Sequence, residues 1–323
     1  MKAWARIGRV VLALLAAAVQ AAVAQPYPNK PVRMVVPYAP GGVADIIARL
    51  LAERLSQNLG QPVVVLNKDG AGTIIGTDYA AKSTADGYTL LLTSTAIVMN
   101  SSAGRKLPYD LQRDLTPLTI FYVQPNVLVV HPSTKAASVK DLIAYAKANP
   151  RKLRYGSSGV GAVIHLYTEL FASTAGIALT HVPYKGVAPA MVDLVAGQID
   201  MMFSGILNAV PNVSAGRLRA LGITTRERSS MLPDVAPIAE QGLPGFDVRT
   251  WYGLYVPART PRTIMERLHG DVAKIAATPD FRERLASHGG EAVAIGPDAF
   301  KAQADRELQI WTRTIQTANI RIE

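Results

Sequence analysis

Short apolar runs alternate with longer stretches of helical periodicity along most of the chain. Val32–Val36 is an apolar run bounded by prolines, which predicts a buried strand. Residues 45–58 then carry apolar side chains at helical spacing, which predicts an amphipathic helix. The same order of strand and helix recurs downstream.

Further strands are predicted at 63–66, 88–93, 127–130, 153–155, 182–184, 201–203 and 218–224. Further helices are predicted at 75–81, 139–148, 164–175, 189–196, 261–277, 279–288 and 297–316. Strict alternation of strands and helices predicts an α/β fold with parallel sheets covered by helices. Ligands of such sheets bind outside the carboxyl ends of the strands. The proline-rich stretch 116–125 and the glycine–proline cluster 242–245 are candidate domain crossings.

The N-terminus has the three parts of a secretory signal peptide. Lys2, Arg6 and Arg9 precede an apolar run, and Ala22-Val23-Ala24 fits the small-x-small rule for cleavage. The alternative is an uncleaved anchor, but the run is shorter than the ~20 residues of a spanning helix. We predict cleavage after residue 24 and export to the periplasm. Loss of these three cations lowers the net charge from +10 to +7.

Composition excludes several classes of protein. The chain is 49% hydrophobic and 18% charged, which is the composition of a globular protein. Its 323 residues are enough for about two domains. Cysteine is absent, so disulfides, thiolate metal sites and thiol nucleophiles are excluded. The basic residues are scattered, without a basic run or aromatic interleaving, and we predict no nucleic-acid partner.

Two glycine loops that join a strand to a helix carry the chemical signal. The first glycine loop (38–45) reads Tyr-Ala-Pro-Gly-Gly-Val-Ala-Asp, and the second (155–161) reads Tyr-Gly-Ser-Ser-Gly-Val-Gly. Free N–H groups and the dipole at a helix start favour an anion. Two such loops on two lobes suit a carboxylate, although ordinary turns also use glycine. Neither loop matches a phosphate-binding P-loop or a dinucleotide fingerprint.

The residues expected of an enzyme are incomplete. The nucleophile elbow fails because Val160 stands where Gly-x-Ser-x-Gly needs its last glycine. His165 or His181 remains available as a base for Ser157 or Ser158, so an exported serine hydrolase stays as an alternative. The five histidines lack metal-ligand spacing, and we predict neither a metal nor a cofactor. Asp45 suits either a helix start or a ligand ammonium or hydroxyl group.

An ordered set of motifs resembles a known family. The motifs are Pro40-Gly41-Gly42-x-x-Asp45, Asn67-x-x-Gly70-Ala71-Gly72, Asp86-Gly87-Tyr88-Thr89-Leu90, the second glycine loop with His165, His181-Val182-Pro183-Tyr184-Lys185-Gly186, Pro244-Gly245-Phe246 and Trp251-x-Gly253-Leu254. Together they resemble the Bug or TctC-like family, the extracytoplasmic solute receptors of tripartite tricarboxylate transporters. The resemblance runs from about residue 27 to the C-terminus.

The resemblance implies a type II periplasmic-binding-protein fold with a ligand cleft between two α/β lobes. Lobe 1 would comprise residues 25–123 and 247–323, and lobe 2 residues 124–246. It implies a non-enzymatic receptor for a small carboxylate: a dicarboxylate, an acidic amino acid or an aromatic acid. Carried over from the family, the binding residues would be Tyr38, Ala39, Gly41, Gly42, Asp45, Thr93, Ser94, Ser157, Ser158, Gly159, His165, Lys185, Gly186, Phe203 and Ser204.

The implied partners are the membrane subunits of such a transporter or, alternatively, a sensor protein, with the receptor itself a monomer. Two departures from the family pattern stand out. Ala162 replaces the common Ser or Thr, which removes a hydroxyl donor and favours a less polar ligand group. Asn67-Lys68-Asp69-Gly70 replaces the common Arg-Pro before glycine, which changes the charge of the rim.

Overall fold

A computed structural model describes residues 27–104 and 106–320. The predicted signal peptide, residues 1–24, lies outside the described residues. The described strands are β1 (Val32–Val36), β2 (Val63–Asn67), β3 (Thr89–Ser94), β4 (Leu115–Gln124), β5 (Asn126–Val130), β6 (Arg154–Ser157), β7 (Thr180–Pro183), β8 (Met201–Gly205), β9 (Arg219–Ile223), β10 (Thr250–Pro257) and β11 (Glu291–Ile295).

Helices follow most of these strands. They are α1 (Val43–Leu59), α2 (Ile74–Ala81), α3 (Ala96–Ser102), α4 (Leu111–Asp114), α5 (Val139–Ala148), α6 (Val163–Ala175), α7 (Val187–Val195), α8 (Ile206–Ser214), α9 (Arg262–Ala277), α10 (Pro279–Ser287) and α11 (Pro297–Thr317). The predicted helices of this set are confirmed to within one to two residues at most ends.

Each lobe is built on its own sheet. The first sheet has the order β11-β4-β10-β3-β1-β2, and the second has the order β7-β6-β8-β5-β9. The chain passes from the first sheet to the second between β4 and β5 and returns between β9 and β10. The α/β class and the two-lobe arrangement predicted from the sequence are therefore confirmed.

The prediction of parallel sheets was wrong in part, because both sheets are mixed. Strand β1 is parallel to β2 and β3, and β6 is parallel to β7 and β8. Strand β10, however, is antiparallel to β3 and β4, and β5 is antiparallel to β8 and β9. The chain enters β10 at the edge of the first sheet where β1 and β3 end, and it enters β5 at the edge of the second sheet where β8 ends. Strands β10 and β5 must therefore run opposite to these neighbours.

The proline-rich stretch 116–125, a candidate domain crossing, contains a crossing only at its end. Most of it forms β4, and only Pro125 separates that strand from β5. Pro117 is accommodated beside a register shift between β4 and β10, a position at which a sheet tolerates proline. Strands β10 and β11 were also not predicted.

The C-terminal helix α11 joins the two lobes. It packs against α3 and β4 of the first lobe and against α6 of the second. The rings of Trp311 and Tyr167 stack there with centroids 5.5 Å apart. Residues 201–203 are fully buried, which confirms that they form a core strand. Within the described part of the chain, every helix is too short or too polar to cross a bilayer.

Candidate functional site

A cavity of about 720 Å³ lies between the lobes. Its walls come from the loops that follow β1, β2 and β3 in the first lobe and β6 and β8 in the second. The strands next to the two interlobe crossings, β4, β5 and β10, also contribute to the wall, through Gln124, Asn126, Thr250 and Tyr252. This interlobe cavity therefore occupies the carboxyl edge of both sheets, where the sequence predicted ligand binding.

Five helices of eight or more residues begin at the interlobe cavity: α1, α2, α6, α7 and α8. Their N-cap residues make no side-chain cap hydrogen bond; they are Gly42, Thr73, Ala162, Gly186 and Gly205. Of the helices that begin elsewhere, α5 is capped by Ser138, whereas α9, α10 and α11 also lack a side-chain cap hydrogen bond. Uncapped N–H groups and aligned dipoles from both lobes make the cavity a favourable place for an anion.

The first glycine loop is held from behind by a carboxylate. Gly41 has a φ of +84° and donates its N–H to Asp45 Oδ2 at 3.0 Å. Asp45 also accepts from Arg49 Nε at 3.1 Å and from Asn67 Nδ2 at 2.9 Å. Burial alone would raise the pKa of Asp45, but the hydrogen bonds from Arg49, Gly41 and Asn67 outweigh it and lower the pKa.

The second glycine loop is held from behind by a neutral imidazole. Gly161 has a φ of +74° and donates its N–H to His165 Nδ1 at 2.9 Å. The His165 ring stacks on His181 at 3.9 Å, and Ser157 Oγ lies 2.6 Å from His181 Nε2. Burial lowers the pKa of both histidines to about 4, with the neighbouring ring adding to the effect on His165.

A third glycine loop (residues 69–73) completes the wall of the first lobe. Asn100 Nδ2 donates to Gly72 O at 2.7 Å and to Thr73 Oγ1 at 3.1 Å, and so fixes this loop. Asn67, at its base, also donates to Tyr38 O at 3.1 Å, which ties it to the first glycine loop. From the sequence, this segment was expected only to change the charge of the rim, although its glycines after a strand were the available signal.

The residues that line the interlobe cavity carry little formal charge. Among the described residues, no Lys or Arg lines the wall, and Asp69 is the one carboxylate there. Polar groups come from side-chain amides, such as Asn208 and Gln124, and from hydroxyl groups. The wall contributed by the second lobe is mostly apolar, with Val160, Val163 and Val187. An anion in this cavity would be met mainly by backbone groups.

Six of the predicted site residues line the cavity: Tyr38, Ala39, Gly42, Ser94, Ser158 and Gly159. Tyr38 and Ser94 are joined by a 2.6 Å hydrogen bond between their hydroxyl groups. The other nine lie outside the wall: Gly41, Asp45, Thr93, Ser157, His165, Lys185, Gly186, Phe203 and Ser204.

These nine residues sit in two kinds of place. Thr93, Phe203 and Ser204 are buried within β3 and β8. The others lie in or behind the loops; Lys185 and Gly186, for example, directly precede Val187, which does line the cavity. Several of the predicted residues thus belong to loops that form the cavity wall but are neighbours of the residues that line it.

The amide side chains of the wall were not predicted from the sequence. Asn100 and Asn208 lie on helices that follow β3 and β8, and Gln124 and Asn126 flank the crossing at Pro125. Tyr252 lines the cavity, while its neighbour Trp251 is buried and donates Nε1–H to Glu307. Of these two adjacent aromatic residues, one therefore faces the cavity and the other packs in the core.

The arrangement does not resemble a serine hydrolase site. Ser157 contacts His181, but it is fully buried, and neither residue lines the cavity. Ser158 does line the cavity, yet it has no hydrogen bond to a histidine within the described residues. The serine that faces the cavity and the serine that contacts a histidine are thus different residues, whereas a hydrolase needs one serine to do both. No group of three or more potential metal ligands occurs in residues 27–104 and 106–320.

Two α/β lobes, joined by crossing strands around a cavity of helix starts, define a solute-binding protein of the type II periplasmic-binding-protein fold. The family model for the tripartite tricarboxylate transporter family receptor, TctC, matches residues 47–320. The chain belongs to this family, as the motifs predicted.

Curated relatives agree with this assignment. A protein of the tcbD-tcbE intergenic region of a Pseudomonas species is 40% identical, over 96% of this chain and 95% of the relative. The protein BugT of Bordetella pertussis is 36% identical, over 93% of both chains. The similarity therefore spans nearly the full length of both proteins.

Solved structures share the fold. A structure described as a periplasmic transporter is 37% identical with a TM-score of 0.77, and covers 92% of this chain and 100% of its own. A Rhodopseudomonas palustris protein solved with adipate is 36% identical with a TM-score of 0.78, and covers 91% and 99%. MatC from the same organism, with bound malate, is 30% identical with a TM-score of 0.74, and covers 90% and 100%.

Proposed function

We propose that this protein is a periplasmic receptor that captures a small carboxylate in the interlobe cavity. The observation that carries the proposal is the convergence of five uncapped helix starts on a cavity without cationic side chains. Such a cavity suits an anion small enough to be met by backbone N–H groups. Adipate and malate in two relatives support the carboxylate as the anion.

The residues divide into contacts and supports. Tyr38, Ala39 and Gly42 of the first lobe and Ser158 and Gly159 of the second would meet the ligand. Asp45 and His165 would act as positioning residues, because each accepts the N–H of a glycine whose loop faces the cavity. The amides of the wall would bind the remainder of the ligand, directly or through water.

Binding would couple to closure of the two lobes, with residues 25–123 and 247–323 as one body and 124–246 as the other. Closure is then a shift of population toward the form in which both lobes touch the ligand. The closed form would present its ligand to the membrane subunits of a tripartite transporter. A sensor protein would recognise the same form, and co-purification with each candidate partner distinguishes them. No covalent step is required.

A thermal-shift screen of the ligand-stripped exported protein tests the proposal. The panel contains aliphatic dicarboxylates, acidic amino acids and aromatic acids, with matched alcohols as controls. A ligand that binds only the native state raises the melting temperature with concentration. At least one acid should do so while its alcohol does not; a flat response to the whole panel would refute the carboxylate assignment.

A further inference from the structure

The one carboxylate among the residues that line the interlobe cavity is Asp69, in the third glycine loop. Asp69 is exposed, and within residues 27–104 and 106–320 it has no hydrogen bond or ion pair. The neighbouring Lys68 forms no ion pair with it; the Lys68 ammonium group lies over the ring of Tyr79, 4.4 Å from the centroid. The third glycine loop therefore presents a carboxylate that is paired with no cation among the described residues.

The helix start in the same loop is too weak to cancel that charge. A helix N-terminus is equivalent to roughly half a positive charge, whereas an ionised carboxylate carries a full negative one. The N–H of Thr73 is in addition already used, since it donates to Gly70 O at 3.1 Å. The first and second glycine loops contain no comparable charge at the wall, because Asp45 lies behind its loop and is bound to Arg49.

The cavity thus has a region that attracts an anion and a region that repels one. We infer that Asp69 is a specificity-determining residue that selects carboxylates whose other end is uncharged or cationic. The inference rests on the proposed function and narrows its ligand class. Relatives solved with adipate and malate hold ligands with a carboxylate at both ends, so this chain would differ from them in its preference.

A matched series of six-carbon acids tests the inference directly. Adipate, hexanoate and 6-aminohexanoate share a carboxylate and a linear chain, and their other ends are anionic, neutral and cationic. Their dissociation constants are measured by calorimetry for the exported protein and for its Asp69→Asn variant. Asn keeps the size and polarity of the side chain and removes only the charge. Asp234→Asn is the control, because Asp234 is also exposed, has no described partner and lies outside the cavity wall.

We expect the exported protein to bind hexanoate or 6-aminohexanoate more tightly than adipate. In Asp69→Asn, adipate should bind about fivefold more tightly and 6-aminohexanoate about fivefold more weakly, as expected for charges several ångströms apart in a wet cleft. Hexanoate should change by less than about twofold, and Asp234→Asn should leave all three acids unchanged.

The outcomes separate this inference from the proposed function. If acids bind but Asp69→Asn changes adipate and hexanoate alike, the inference is overturned and the carboxylate receptor stands. Tighter binding of adipate than of both other acids by the unaltered protein also overturns it. If neither these acids nor any acid of the screening panel binds either form, the proposed function fails and the inference fails with it.

Discussion

The first and second glycine loops use one backbone arrangement with two different side chains behind it. In each, a glycine at positive φ donates its N–H to the side chain four residues later, in the first turn of the following helix. That side chain is the carboxylate of Asp45 in the first lobe and the imidazole of His165 in the second. The two lobes thus reach the same loop geometry with an anionic acceptor and with a neutral one.

The difference follows from what lies around each acceptor. Asp45 is buried at 4% exposure, but Arg49 and Asn67 donate to it, so the charged form is stable. His165 has the same 4% exposure, and its ring stacks on that of His181 at 3.9 Å; burial and this second imidazole lower the pKa of His165 to about 4, so its neutral form is the stable one. Loop geometry alone therefore leaves the identity of the acceptor open.

The largest effect is expected from filling the cavity at the start of α1. Gly42 has a φ of −78°, and an added Cβ would meet only Ala39 O at 3.8 Å, so Gly42→Leu should fold normally. Its side chain would occupy the position of the anion and weaken binding by about 100-fold or more. Calorimetry measures the affinity, and circular dichroism checks the fold.

Ala162→Leu is the matched change in the second glycine loop. A Cβ is already present at Ala162, so we expect a smaller loss of about tenfold. Unchanged affinity in Gly42→Leu would place the anion outside the first glycine loop. Equal losses of affinity in both variants would mean that the two loops contribute equally to ligand binding.

Removing the charged acceptor should destabilise the first lobe. Asp45→Ala leaves Gly41 N–H without its acceptor and takes from the Asn67 amide one of its two acceptors, which costs about 2 kcal/mol in the free energy of unfolding. Urea denaturation measures this change. Arg49→Gln is the control, because it keeps both of these bonds, and its effect should be clearly smaller. Equal effects in the two variants would show that the ion pair, rather than the loop contact, stabilises Asp45.

Acid should weaken the second loop before the first. The pKa of His165 is about 4 in the folded chain against about 6.5 in an unfolded one, so the unfolded chain binds more protons between these values. The free energy of unfolding must therefore fall as the pH falls from 6.5 to 4. The pKa of Asp45 is lowered, so its contribution persists through this window and is lost only under more acidic conditions.

His165→Asn tests this order, because Asn still offers an acceptor to Gly161 N–H and does not titrate. Urea denaturation between pH 7 and pH 4 should give a shallower slope in this variant, by about 1 kcal/mol per pH unit. Parallel curves for the variant and the unaltered protein would exclude His165 as the titrating group.

The smallest effect is expected from supplying a missing cap. Ala162 has the extended backbone of an N-cap, with φ −70° and ψ 161°, so Ala162→Ser should stabilise α6 by about 0.5–1 kcal/mol. Gly42→Ser should add only a few tenths, since glycine is itself a tolerated N-cap. Thermal denaturation of the ligand-free variants measures both. Destabilisation by Ala162→Ser would mean that the hydroxyl group finds no free N–H there.

Local pattern was sufficient for β1, β2 and β3 of the first lobe, for all five strands of the second lobe and for the glycine loops. Buried runs such as Val32–Val36 and amphipathic runs such as Val43–Leu59 carry their periodicity within a single segment. Strand β4 was missed because Pro117 reads locally as a breaker, while a register shift against β10 accommodates it. Strand β11 was missed for a related reason: it is a short edge strand whose partner, β4, is distant in the chain.

By itself the sequence determined the α/β class, the family and the two loops that carry backbone N–H groups, because glycine, proline and apolar spacing act over a few residues. Only the tertiary structure decided that the third glycine loop and Asp69 share a wall with Ser158 and Gly159, and that His165 lies behind the wall. Strand pairing and lobe apposition join residues far apart in the chain. The sides on which their side chains emerge depend on that pairing, which local pattern does not encode.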